Sequence, residues 1–200
     1  MKTSPLFLAV LPALLLAGCG SPPNSAQYVD PNGPRTIVSL NQIDIQDFNG
    51  AAATMTQSLL NSGVLEKAPT QPAVMAISRI TNDTGQQFDT DYLIKNIRVA
   101  LNNSGKVVTT TTTGLGGKAE DPLARDAGNM QAFMQGQPAP SRIPYYSLSG
   151  KILASTAKAD DIYQRTYTFQ LSLTEIASGN AVWEDQKQIT KQGKQPAVGF

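Results

Sequence analysis

The chain has 200 residues, with 16 Lys and Arg against 15 Asp and Glu, a formal charge of +1, no histidine and a single cysteine. So even a balance sets up no field that would gather nucleic acid or anionic lipid. The missing histidine removes the commonest general base and zinc ligand, and a lone cysteine forms no internal disulfide, so stability has to come from burial.

The first chemical signal is at the N-terminus. Lys2 supplies a positive start, Leu6 to Leu16 an apolar stretch, and Leu16-Ala17-Gly18-Cys19 a lipobox, in which two small residues admit a peptidase before a thiol that can carry a diacylglycerol. An ordinary secretory peptide that happens to contain a cysteine is the alternative. A membrane-spanning helix fits less well, because spanning takes about 20 apolar residues and Pro12 and Gly18 interrupt this run. Residues 1–18 are therefore expected to be a lipoprotein signal peptide, with the mature chain starting at an acylated Cys19. Gly20 follows in place of the aspartate that favours inner-membrane retention, so the expected location is the outer membrane, facing the periplasm. Residues 19–40 are proline-rich and polar and read as a flexible tether. It would span about 70 Å at full extension and average nearer 25 Å as a coil. Residues 41–200 are expected to form one domain.

Within that domain helix and strand patterns alternate. Asp47 can cap a helix whose Phe48, Ala52, Met55 and Leu59 share one face, with Gly63 placed to end it. Ala73 to Ile80 is short and apolar, bounded by Pro72 and Asn82-Asp83-Thr84-Gly85, and predicts a strand buried on both faces. A second helix is expected from Asp89, with Leu93, Ile97, Ala100 and Leu101 as its core stripe and Asn103-Ser104-Gly105 as its stop. Lys106 to about Thr112 predicts a neighbouring strand, parallel to the first if the helix is a crossover between them. Gly114 to Arg125 reads as a loop, and Asp126 to Gln135 as a short helix presenting Met130, Phe133 and Met134 ahead of Pro138-Ala139-Pro140. Tyr145 to Ala157, Tyr163 to Leu173 and Ala181 to Ile189 predict three strands of an antiparallel meander, the middle one alternating apolar and polar with one wet face. The expected fold class is α/β or α+β: a mixed sheet with helices packed on it, ending in the meander.

Candidate chemistry is sparse. Glu120-Asp121, Asp160-Asp161 and Glu184-Asp185 are adjacent carboxylates, and neighbours in a strand or loop point apart, which suits solvation better than a shared acid-base site. Gly116-Gly117-Lys118 has Thr112 and Ala119 where a phosphate loop needs glycine and Ser or Thr, so it reads as a plain loop. Thr109 to Thr113 suits a strand edge, either a recognition surface or a solvated strand end. Trp183 suits core or cross-strand packing better than a ligand platform. No catalytic residue, metal or cofactor is expected.

Two blocks of the chain carry a family resemblance. The first is Ile77 to Thr84, Phe88-Asp89-Thr90 and Ile94 through Val107. The second is Tyr146 to Ile152, Tyr167 to Glu175 and Ser178 to Glu184. In this order and behind a lipobox they resemble the LpoB family of penicillin-binding-protein activators, over roughly Ala73 to Lys191. The resemblance implies a non-enzymatic outer-membrane lipoprotein that binds a bifunctional penicillin-binding protein, a peptidoglycan synthase, and raises its activity by contact. A monomer is the expected state, and no particular residue is assigned to the partner surface. The chain departs from the family pattern at Ile143-Pro144-Tyr145, and its tether is shorter than the family's long proline-rich arm. A structural or assembly lipoprotein similar to CsgG-type components, without a synthase partner, is the alternative.

Overall fold

The computed structural model describes residues 26–112, 119–137 and 144–194. In chain order it contains α1 (Ile45–Asn61), a 3-10 turn (Leu65–Lys67), β1 (Ala73–Asp83), α2 (Asp91–Asn103), β2 (Val107–Thr109), α3 (Pro122–Met134), β3 (Tyr146–Ala159), β4 (Ile162–Glu175) and β5 (Asn180–Lys194). The strands form one five-stranded sheet in the order β2-β1-β3-β4-β5. β1 is parallel to both β2 and β3, which are reached through α2 and α3, and β3, β4 and β5 run antiparallel as the meander. The mixed sheet with helices, and its closing meander, are as expected from the sequence.

One face of the sheet is buried under α1 and α2. Phe48, Ala52, Met55 and Leu59 do fall on the buried side of α1, and Leu93, Ile97 and Leu101 on that of α2. They meet the alternating residues Tyr146, Leu148 and Ile152 of β3 and Tyr167, Phe169, Leu171 and Leu173 of β4 in one core. Phe48 makes edge-to-face contacts with Phe88 at 5.6 Å and Phe169 at 5.9 Å, joining helix to sheet through aromatic geometry. The Tyr146 hydroxyl donates to the Val64 carbonyl at 2.8 Å, which satisfies a buried polar group and pins β3 to the segment after α1.

Several boundaries differ from the sequence expectation. The N-cap of α1 is Asp44 rather than Asp47. Asp47 stands one turn inside, where its carboxylate accepts from the Asp44 amide at 2.8 Å, the reach-back half of a capping box. α2 starts at Asp91 after Thr90, and Asp89 accepts from the Asp91 amide at 2.8 Å. β1 is buried on both faces only at Met75 and Ala76, and its far half exposes Arg79, Thr81 and Asp83. β2 stops at Thr109, and the Thr111 carbonyl then accepts from the Asp121 amide at 3.0 Å. The stretch expected as a loop up to Arg125 already turns helical at Pro122, because Asp121 caps it, accepting from the Ala124 amide at 2.9 Å, and proline is well suited to a first helical position.

A shift in register between Ile77 and Ile80 of β1 brings Ile80 opposite Gly150. A Cβ on Gly150 would lie 2.6 Å from the Gln170 carbonyl oxygen and 2.7 Å from Leu171 Cδ2. Here the absence of a side chain, rather than backbone freedom, is what the sheet needs.

The lead into the domain is tied to the last strand. Lys191 of β5 is buried, and its ammonium lies 2.7 Å from Asp44, 2.5 Å from Asp47 and 2.7 Å from the Gln42 carbonyl, with the Tyr167 ring 5.7 Å away. Asp44 also accepts from the Ser39 amide at 2.7 Å. Burial opposes the charged form of Asp44, but the hydrogen bonds from Lys191 and Ser39 outweigh it and hold its carboxyl below the ordinary 3.8. Leu40 packs 3.7 Å from where a Cβ of Gly193 would stand, so the same segment lies along the end of β5.

Two predictions follow from these contacts. Gly150→Ala should cost about 1–3 kcal/mol, as overpacking does, read from the denaturant midpoint; an unchanged midpoint would mean that β3 and β4 separate freely at this point. Lys191→Met should cost about 3–5 kcal/mol by leaving two carboxylates buried without a counter-ion. Because Asp44 has a lowered folded pKa, its stabilisation is complete above 3.8 and is lost as pH falls through the lower folded value. In Lys191→Met that acid limb should flatten, since burial is then opposed only by the hydrogen bonds from Ser39, and thermal melts from pH 7 to pH 2 check it.

Candidate interaction surfaces

The adjacent carboxylates are taken up separately by the fold. Glu120 pairs with Arg98 and lies 3.9 Å from Lys95, while Asp121 caps α3. Asp160 turns the β3–β4 hairpin with a φ of 53°, and Asp161 pairs with Lys194 at 2.7 Å. Glu184 accepts from Ser172 at 2.8 Å, while Asp185 next to it lies on the opposite side of β5. None of these three adjacent pairs converges on a shared point, so this set offers solvation, capping and ion pairing rather than proton transfer.

Thr109 to Thr112 also serve the chain itself. Thr109 exchanges hydrogen bonds with the Asn102 side chain at 2.9 Å, and the Thr110 amide donates to the Met75 carbonyl at 2.9 Å. Trp183 stands opposite Leu173, half-buried against the core, as expected of cross-strand packing. Leu16, Ala17, Gly18 and Cys19 of the lipobox lie outside the described residues, as do Thr113, Gly116-Gly117-Lys118 and Pro138-Ala139-Pro140.

Two surfaces remain available to a partner. The first is the sheet face away from α1 and α2, where Ser, Thr and Gln side chains of β3 to β5 form cross-strand hydrogen bonds, such as Thr166 with Thr190 at 2.9 Å and Ser172 with Glu184. These groups largely satisfy one another, which suits a wet face. The second is α3, where Leu123, Met130, Phe133 and Met134 are exposed and Ala132 is the one buried residue. The sequence marks three of these side chains, Met130, Phe133 and Met134; Leu123 falls in the stretch read as loop.

At the start of β3, the departure from the family pattern has a structural use. The Tyr145 hydroxyl donates to the Glu175 carboxylate, which also accepts from Ser178 at 2.5 Å. That hydrogen bond, followed by burial and the Glu175 charge, pushes the Tyr145 phenol up to about 12, while the Ser178 and Tyr145 hydroxyls hold Glu175 below its ordinary value. The Tyr145 amide donates to Val74 at 2.9 Å and its carbonyl accepts from Ile176 at 3.0 Å, so this residue seams β1, β3 and the end of β4. Sequence periodicity gives no signal for it, nor for Lys191, because both act through contacts remote along the chain.

No curated protein matches the sequence. Among solved structures, the LpoB C-terminal domain from Salmonella enterica is similar at 15% identity, over 72% of this chain and 98% of that one, with a TM-score of 0.45. The LpoB C-terminal domain from Escherichia coli gives 15% identity over the same shares, 72% and 98%, at a TM-score of 0.42. Lipoprotein GNA1162 from Neisseria meningitidis gives 15% over 64% of this chain and 88% of that one, at 0.39. The profile of a family described as "Peptidoglycan-synthase activator LpoB" matches residues 47–189, from the first turn of α1 to near the end of β5. With most of the chain matched, the protein belongs to the LpoB family of peptidoglycan-synthase activators.

Proposed function

We propose that this protein is an outer-membrane lipoprotein, anchored through Cys19 on the periplasmic side, that binds a bifunctional peptidoglycan synthase and stimulates it by contact rather than by chemistry of its own. The family match over residues 47–189 carries the reading. Its support from the residues is the lipobox ending at Cys19, the lack of histidine and the scattered carboxylates. Residues 19–40 act as the tether and residues 41–200 as the working domain of a monomer.

Contact with an inner-membrane enzyme then depends on reach. A tether that cannot span its two sites reduces the effective concentration of the domain at its target to near zero. Adding the full protein to the purified synthase should raise its polymerisation and cross-linking rates, and unchanged rates would remove the activator reading. Cys19→Ala should move the protein from the membrane to the soluble periplasmic fraction, and a variant still fractionating with outer membrane would refute lipid anchoring at this residue. Deleting ten residues between Ser21 and Pro34 removes about 35 Å of maximum span. It should abolish function in cells while leaving stimulation in solution intact; retained cellular function would instead place the partner at the outer membrane, as an assembly lipoprotein requires.

A further inference from the structure

Helix α3 is built inside out. At about 100° per residue, Leu123, Ala127, Met130 and Met134 fall within about 40° of one line along the helix, and Phe133 stands about 80° to its side. Ala132 lies about 180° from that line and is the residue the helix buries, with half-buried Gly128 next to it on the inward side. The small residues thus face the protein and the large apolar ones face outward: Leu123 is 79% exposed, Met130 60%, Phe133 81% and Met134 79%. An ordinary amphipathic helix does the opposite. Both helix ends are nonetheless well made, with Asp121 capping the start and the Gln137 amide closing on the Ala132 carbonyl at 2.9 Å beyond Gly136, whose φ is +64°.

Charge and size narrow what covers this face. A helix that rests on a bilayer adds Lys or Arg on its polar side to its apolar face. α3 has one cation, Arg125, paired with Asp126 at 3.0 Å, and residues 127–137 carry no charge. A second copy meeting α3 face to face would also fall short, because a stable interface takes about 800 Å² and 20–30 residues from each side, and this helix has 13 residues with one apolar face. A groove that closes around the flanks reaches both the stripe and the lateral Phe133, which is how helix-in-groove recognition extracts affinity from a short helix.

We propose that α3 is the docking helix for the synthase, seated in an uncharged groove lined by aliphatic and aromatic side chains, with Met130 and Phe133 as its central anchors. The proposal rests on the activator reading and adds the contact surface to it. Methionine and phenylalanine suit that role, one adapting to the groove and the other filling a pocket in it.

The test uses the full lipidated chain in mild detergent and the purified bifunctional synthase of the same organism. Affinity and melting temperature are measured for the unmodified protein, Met130→Asp, Phe133→Asp, Met130→Leu and, as a control at an exposed apolar side chain in the lead segment, Ile37→Asp. The two α3 aspartate variants should each weaken binding at least tenfold at unchanged melting temperature, with Met130→Leu and Ile37→Asp binding like the unmodified protein. A benzophenone residue in place of Phe133 should cross-link to the synthase. Undiminished binding by both aspartate variants would overturn the docking assignment while leaving activation intact, whereas failure of the unmodified protein to bind would overturn both. If the aspartate variants instead abolish flotation of Cys19→Ala protein with phosphatidylethanolamine-phosphatidylglycerol vesicles, or dissolve a dimer in sedimentation, the occupant is the bilayer or a second copy and the proposal fails.

Discussion

The structure depends on burying one side of a five-stranded sheet beneath two helices. α1 and α2 can cover only the face on which Tyr146, Leu148, Ile152, Tyr167, Phe169, Leu171 and Leu173 lie, since strand side chains alternate between faces. From that single-sided closure the rest follows. β1 occupies the interior of the sheet because parallel pairing on both edges needs crossover connections, which α2 and the α3 segment provide. The other face is left to Ser, Thr and Gln, which remain wet while bonding across strands.

The same arrangement leaves the last strand at an edge, and the protein closes that edge with charge. Lys191 places a buried cation between Asp44 and Asp47, so the first turn of α1 and the final strand are held together across nearly the whole length of the domain. A buried ion pair of this kind contributes modestly to net stability but strongly penalises separation of its partners. Its position bears on the tether proposed for residues 19–40. Tension entering along the lead segment meets the Ser39 hydrogen bond to Asp44, and Leu40 and Gln42 against β5, before it reaches the helical core.

α3 stands apart from this logic. Its capping is complete, yet it contributes one buried alanine to the protein and turns its large apolar side chains outward. Local helix signals and tertiary packing usually agree in a natural sequence, and where they part company the usual reason is function. For the contact activation proposed above, surface apolar area is the resource that makes contact possible, and its concentration on one short helix would give a partner a defined point of purchase.

Much of the architecture is legible along the chain. The period of Phe48, Ala52, Met55 and Leu59 defines a helix face, and the alternation from Tyr163 to Leu173 defines a half-wet strand, because both patterns are set by neighbours within a few residues. The Leu16 to Cys19 signal is equally local. Boundaries were less legible where a competing local group intervened: Asp47 reads as a cap because Asp44 is not distinguishable from it by type, and Asp121-Pro122 starts a helix inside a stretch whose glycines suggest a loop. Tertiary structure alone decided the rest. It brought Lys191 to Asp44 and Asp47, required a bare Gly150 between Ile80 and Leu171, and made Tyr145 a seam between β1 and β4. It also decided that Met130 and Phe133, which the sequence identifies only as apolar, face away from the core. Periodicity records which residues share a face, but which way that face points depends on elements distant in the chain.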